Sequence, residues 1–421
     1  AQSGTVRNTQ QNKNSVTHGG VDSTYAWTRL GLALILATIG GVGMWSVIVA
    51  LPAVQAEFGV ARADASLPYT MTMLGFGVGG IVLGRMSDRF GILPPVIIGI
   101  LCLTLGYAAA ASASTLWQYS VAHLLIGFGS SVTFSPLLAD MSHWFARRRG
   151  IAVAIIASGN YLAGTLWPSV VQHFIETSGW RQTFSGISIF CVATMLPLVL
   201  TLHRRAPTHH EAESANTRDT ARRGRPLGLS PQALQNVLIV AGISCCVAMS
   251  MPQVHLIAYC GDLGYGAARG AQMLSLLLGC GIISRLTFGW ICDHIGGLRT
   301  LLIGSSMQGF ALLLFLPFDG LVSLYVISAL FGLFQGGIVP SYAIIIREYF
   351  SPKEAGARIG IVITATLLGM ALGGWMSGVI FDLTGSYKVA FINGIAWNAV
   401  NMAIAIMLLG RSKKQGRAAT A

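Results

Sequence analysis

Apolar runs of about 20 residues, each long enough to cross a hydrocarbon core of roughly 30 Å, recur from end to end of the chain. Read with breakers and charges, they predict twelve helices, at 29–56, 66–86, 92–112, 117–142, 149–175 and 181–203, then 231–259, 267–291, 299–317, 320–346, 356–380 and 387–410. The stretch from Arg204 to Pro226, with its Thr, Ser, His, Glu and Arg, is too hydrophilic to pack a core and reads as a linker. The expected organisation is a tail (1–28), a six-helix bundle (29–203), a linker (204–230), a second six-helix bundle (231–410) and a second tail (411–421). Hydrophobic residues make up 53% of the chain and charged ones 10%, against roughly 25% charged in a soluble domain. The fold class is therefore all-α integral membrane, and a soluble globular protein is excluded. The residues before the first run are polar (Gln2, Asn8, Gln10, Asn12), with no apolar core of a signal peptide, so the expectation is that nothing is cleaved.

The runs are also duplicated. Gly84-Arg85-Met86-Ser87-Asp88-Arg89-Phe90-Gly91 answers to Gly289-Trp290-Ile291-Cys292-Asp293-His294-Ile295-Gly296 at an offset of 205 (84 to 289, 91 to 296), with both glycines and the aspartate in phase. The same offset relates Glu57-Phe58-Gly59 to Asp262-Leu263-Gly264 and Trp144-Phe145 to Tyr349-Phe350. It slips by one where Gly179-Trp180-Arg181 meets Gly385-Ser386-Tyr387. Such a period is too long for a solenoid and indicates two pseudo-symmetric bundles with a site between them.

The net charge of +12 raises nucleic acid as a partner, but its placement argues for a bilayer. Loops on one side hold 22 of the 27 Lys and Arg, among them Arg85, Arg89, Arg147 to Arg149 and six arginines from Arg204 to Arg225. The other side holds Arg62, Arg181, Arg269 and Lys388, and Arg285 lies within a helix. By the positive-inside rule the expectation is a multi-pass protein of the inner (plasma) membrane with both termini cytoplasmic, and no nucleic-acid partner. Seven cysteines form no C-x-x-C pair, so neither a metal site, another cofactor nor a disulfide framework is inferred. Gly75-Phe76-Gly77-Val78-Gly79-Gly80 has dinucleotide-binding spacing but no preceding strand, and its glycines read as close helix packing.

The duplicated octet resembles the signature loop of the major facilitator superfamily. That resemblance implies a gate in which Gly84, Arg85, Asp88, Arg89, Gly91, Gly289 and Asp293, with basic neighbours Arg147 and Arg148, lock the bundles in one state. Trp144-Phe145-Ala146-Arg147-Arg148-Arg149-Gly150, continuing through Ala152 to Gly159, resembles the helix 5 signature YFxKRRxLAxGxAxAG of monocarboxylate transporters. Ala154, Ile156 and Ser158 depart from its small-residue positions. Asp22-Ser23-Thr24-Tyr25-Ala26-Trp27 is similar to that family's motif before helix 1, [DE]G[GS][WF][GA]W, apart from Ser23 and Thr24. Related oxalate:formate antiporters share much of this pattern.

Arg285 is the sharpest candidate. A central arginine costs at least about 2.5–3.5 kcal/mol on insertion scales, so it is expected to face a polar cavity. Its planar fork suits a carboxylate, with snorkelling to the nearby helix end as the bland alternative. The position matches the family's helix 8 arginine, which the resemblance implies grips the substrate carboxylate. The aspartate usual four residues earlier is here Gly281, no lysine occurs between Lys13 and Lys353, and Thr366 falls where oxalate transporters carry a second cation. One deep cation suits one carboxylate, because a dianion would leave a charge unpaired. Asn160, Tyr161, Gln335 and Tyr342 are candidate polar lining, and Trp45 and Phe134 candidate apolar walls. Thr366 is a further lining candidate and His255 a substrate ligand or proton carrier, its imidazole titrating near neutrality.

The expected function is secondary transport of a small monocarboxylate such as lactate or pyruvate by alternating access, by a monomer, and not an enzyme. The resemblance implies proton symport. The alternatives are organic-anion exchange of the oxalate:formate type, transport of a larger aromatic or branched acid, and a membrane sensor that binds without turnover.

Overall fold

The computed structural model describes residues 21–145, 149–202 and 226–420, so Arg147, Arg148 and most of the expected linker lie outside the described residues. Among the described residues, twelve helices are long and apolar enough to span a bilayer. The first six are α1 (Thr24–Phe58), α2 (Arg62–Phe90), α3 (Leu93–Ala111), α4 (Leu116–Met141), α5 (Ile151–Ser178) and α6 (Trp180–Thr201). The second six are α7 (Pro231–Asp262), α8 (Ala267–Ile295), α9 (Gly297–Leu314), α10 (Leu321–Tyr349), α11 (Glu354–Thr384) and α12 (Tyr387–Lys413).

Ends shift from expectation where polar groups serve the helix. Ser23 caps α1, accepting from the Ala26 amide at 3.3 Å, so the helix starts before Arg29. Ser230 does the same for α7, followed by Pro231 in the first turn. Charged Arg62 and Asp64 open α2 rather than precede it, and the last helix runs on to Thr420 where a tail was expected.

The duplication is a backbone repeat. Gly59 and Gly264 close helices at φ 61° and 82°, Gly91 and Gly296 at 84° and 84°, and Gly179 and Gly385 at 80° and 66°. These left-handed conformations favour glycine, so each stop signal was copied with its residue. Close packing is copied too. Gly127 of α4 sits on the Thr72 carbonyl of α2, and Gly332 of α10, 205 positions on (332 − 127), sits on the Leu277 carbonyl of α8. A Cβ at either would collide with backbone, which explains small residues at helix crossings. Gly75 and Gly79 likewise face α4 backbone, fulfilling the packing reading of that segment.

Four helices expected to be continuous are broken. The α1 helix is interrupted at Gly41, and α5 at Ser158. In α4 a 3-10 turn, Ser131–Thr133, leads to Phe134 with φ −117° and ψ −83°. The α10 break falls between Gln335 and Ile338, so Ser131 and Gly336 occupy the same repeat position (336 − 131 = 205). Phe134 leaves the helical region, whereas Gly41, Ser158, Gly336 and Gly337 keep helical φ and ψ while the helix is interrupted. Such departures at membrane depth persist where protein or a cavity surrounds them. The α1 and α4 breaks meet: the Ser130 hydroxyl donates to the Gly40 carbonyl at 2.7 Å.

Candidate functional site

The break in α5 turns a carbonyl toward the other bundle. A helix end leaves its last carbonyls without intrahelical donors, and Ala157 is the last residue before Ser158. Its oxygen accepts from Arg285 Nη1 of α8 at 2.9 Å. The guanidinium carbon lies 4.6 Å from the centroid of the Tyr161 ring, one turn further along α5. Arg285 thus reaches across the seam between the halves instead of snorkelling to its own helix end. Its Nε is buried without a partner, and among the described residues no carboxylate pairs with it.

Gly281 is what admits the ring. A Cβ there would lie 2.5 Å and 2.6 Å from two Tyr161 ring carbons. Where the related family carries an acid one turn before the arginine, this chain carries space, and an aromatic face fills it. The guanidinium is supported by a quadrupole and a carbonyl dipole, and no described carboxylate neutralises its charge.

Two further candidates join this cluster. Trp45 of α1 donates Nε1–H to the Asn160 carbonyl at 3.2 Å and packs beside Gly164, whose Cβ would lie 2.8 Å from the indole. On the opposite wall the Gly336 amide, in the α10 break, donates to Ser284 Oγ at 3.0 Å. Gln335 precedes it, accepts from Gln253 Nε2 at 2.9 Å, and leaves its own buried Nε2 unpartnered. Arg285, Tyr161, Asn160 and Trp45 therefore stand together, with Gln335 one residue from the break packed on α8. Phe134 lies at the α4 break against Phe76, with ring centroids 6.3 Å apart.

Tyr342, Thr366 and His255 stand elsewhere. Tyr342 is enclosed in the second bundle and donates to Asn401 Oδ1 at 2.9 Å. Gln335 and Tyr342, two turns apart on α10, both approach α7, at Gln253 and Cys245, but Tyr342 is fully enclosed. Thr366 donates to its own helix at the Ile363 carbonyl, 2.7 Å away, and its methyl packs against Gly242 of α7.

His255 belongs to a cluster that joins the halves at the face opposite the two octet loops. Asp382 of α11 accepts from the backbone amides of Arg62 and Ala63 at 2.9 Å and 2.7 Å, capping the start of α2. The Arg62 guanidinium donates to Asp262 Oδ1 at 3.2 Å and to the Tyr387 phenol at 2.7 Å, and lies 4.7 Å from the Phe381 ring centroid. His255 bonds Tyr387 Oη through Nδ1 at 3.0 Å and the Gly374 carbonyl through Nε2 at 2.7 Å. Thr70 adds a bond to the Ala371 carbonyl at 3.2 Å, and Ser169 meets Ser275 at 3.1 Å. Among the described residues, Arg285 makes the cross-seam hydrogen bond nearest the octet loops. At those loops Arg85, Asp88, Arg89 and Asp293 are exposed, and neither aspartate forms an ion pair with another described residue. Gly84 and Gly289 face open space there. Among the described residues, the contacts between the halves gather into a latch at the face opposite the octet loops.

One buried charge pair was not singled out in the sequence. Arg29, 1% exposed, donates to Asp140 Oδ2 from Nε and Nη2 at 3.1 Å and 2.9 Å and to the Leu202 carbonyl from Nη1 at 3.0 Å. It lies against the Trp144 ring, which Tyr25 meets edge-on at 5.3 Å, while Trp27 meets Phe145 at 4.9 Å. The segment before helix 1 and the start of the helix 5 signature are one packed unit. Arg29 lies five positions inside the first helix (29 − 24), a signal obscured by its closeness to the polar end.

A profile of the Major Facilitator Superfamily matches residues 33–323 and 279–421. Monocarboxylate transporter 13 of Rattus norvegicus is 26% identical over 78% of this chain and 75% of its own length. Monocarboxylate transporter 11 of Homo sapiens is 25% identical over 89% and 81%. Among solved structures, an inward-facing bacterial homolog of the human lysosomal transporter Spinster superposes with a TM-score of 0.70 at 13% identity, covering 93% of this chain and 98% of that one. The nucleoside transporter NupG gives 0.70 at 14%, covering 92% and 99%. With the family profile spanning most of its length, twelve spanning helices and a duplicated signature loop, this chain belongs to the major facilitator superfamily of membrane transporters, among relatives named monocarboxylate transporters.

Proposed function

We propose that the protein carries a small monocarboxylate across the membrane by alternating access, with Arg285 gripping the carboxylate at the seam. One observation supports this above the others: a cation bridging the halves, held by a carbonyl and an aromatic ring, with a buried Nε–H unsatisfied. A carboxylate accepting from Nε and Nη2 would complete the fork through two parallel bonds. Tyr161, Asn160 and Trp45 shape the α5 side of the site, and Gln335 offers a donor from α10. In this reading the octet loops face the cytoplasm, and the contacts gathered at the opposite face support a state open to the cytoplasmic side. Uptake accompanied by a proton, rising as external pH falls, is the coupling this reading carries forward.

The test is uptake of radiolabelled lactate and pyruvate into proteoliposomes. Arg285→Lys keeps the charge but not the fork, and should lower uptake at least about tenfold, the equivalent of roughly 1.4 kcal/mol. Near-normal uptake by the lysine variant would remove Arg285 from the site. Anion exchange is the second reading, favoured by Gly281, which leaves Arg285 without a neighbouring acid to take a proton. Counterflow in preloaded vesicles, fast where net uptake is slow, would select it.

A further inference from the structure

The latch contains a donor–acceptor sequence that is fully satisfied in one protonation state. The Gly374 carbonyl can only accept, so His255 Nε2 carries a proton and donates it. The Tyr387 oxygen accepts from Arg62 Nη1, and among the described residues Nδ1 is the acceptor in reach of its hydroxyl, so that proton is satisfied when Nδ1 is bare. The chain Arg62 to Tyr387 to His255 to Gly374 is complete with a neutral imidazole. A second proton on Nδ1 sets a donor against the phenol's donor and leaves a buried hydrogen without an acceptor, a loss of the kind that costs about 1–3 kcal/mol.

We infer that His255 is a proton-operated catch: the closed latch holds it neutral, and a proton arriving from the latch face releases α2 from α7, α11 and α12. The groups around the ring are Arg62 from α2, Asp382 from α11, Tyr387 from α12, and Tyr259 and Asp262 from its own α7; Tyr69 of α2 stands over Gly374. The two carboxylates do not rescue an imidazolium. Both Asp382 oxygens are taken by α2 amides, and Asp262 is engaged by Arg62. A recess of about 340 Å³, lined in part by Gln55, Arg62, Ile257 and Asp262, reaches the Arg62–Asp262 side of the latch between the ends of α1 and α7.

The sign follows from linkage. The open form, with its ring in water, binds the proton that the closed form excludes, so acidification at the latch face favours opening. With a water-exposed imidazole titrating near about 6.5, the opening equilibrium rises about tenfold between roughly pH 8 and pH 5.5. The catch would operate whichever acid is carried, and its test needs no substrate.

The experiment is hydrogen–deuterium exchange on the purified full chain, corrected for intrinsic rates, following the amides of Arg62 and Ala63 that bond Asp382. Wild-type protection there should fall about tenfold across that pH range, while amides at the start of α9 on the octet face stay unchanged. His255→Gln keeps a neutral donor for Gly374 but cannot ionise, and should reduce the change to less than about twofold. Tyr387→Phe removes the opposing phenol, and should lower protection at both pH values while flattening the dependence; it serves if the glutamine variant does not fold. Wild-type protection independent of pH, or an unchanged tenfold response in His255→Gln, would overturn the inference and, in the second case, move the titration to Asp262 or Asp382.

Discussion

Placing a methyl group at Gly281 tests whether Tyr161 positions the arginine. A Cβ there would stand 2.5 Å from the ring, about 1 Å inside ordinary van der Waals contact, so the ring must slide off α8. The guanidinium would then lose its aromatic support, an interaction of about 0.5–2 kcal/mol according to how dry the site is. Gly281→Ala should therefore weaken carboxylate binding by about 2- to 30-fold. The decisive comparison is the same substitution with the ring already removed. In a Tyr161→Ala background no ring remains to collide, and Gly281→Ala should cost less than about 0.5 kcal/mol more, the ordinary scatter of additivity. The assay is the concentration dependence of lactate or pyruvate uptake by the four proteins in proteoliposomes of matched content. Equal losses from Gly281→Ala in both backgrounds would refute the reasoning, because the collision would then not run through Tyr161.

Asp140→Asn should cost about 3–5 kcal/mol, since it leaves Arg29 buried and unpaired, read as a fall in the thermal midpoint of purified protein. Gly296→Ala forces a side chain into φ 84°, at about 1–3 kcal/mol, whereas Gly84→Ala meets no atom within 4 Å and should leave the same midpoint nearly unchanged. Transport should favour monoanions over oxalate, since Thr366 supplies no second cation and instead packs on Gly242; efficient oxalate exchange with no pH effect on net flux would contradict this.

The spans were legible because lipid demands continuous apolar runs, and the repeat because glycine is the residue that closes helices at positive φ. Arg285 stood out for a similar reason: a charge within an apolar helix leaves little else to explain it. The breaks were not legible. Ser131, Ser158 and Gly336 resemble the small residues of any close helix crossing, and whether such a residue packs or interrupts depends on the neighbouring helix. Tyr342 was a candidate for its polarity, and its enclosure against Asn401 depends on packing that spacing does not reveal. The latch was hidden differently. Arg62, Asp262 and Asp382 each read as an ordinary charge at a helix end, and only the fold brings their helices together around His255.

The bond from Arg29 to Asp140 spans 111 positions of chain, and this separation orders events during synthesis. At about 5–20 residues per second, roughly 6–22 s separate the translation of Arg29 from that of the carboxylate that neutralises it. Through that interval the nascent first helix bears an uncompensated cation one turn from its start, which ties it to the headgroup region and its water. Only when the fourth helix delivers Asp140, followed within a few residues by Trp144 and Phe145, can the first helix settle to its final depth. The first of these twelve helices is thus seated only after the fourth is made, and a ribosome stalled before Asp140 should hold it in a shallow, interfacial position.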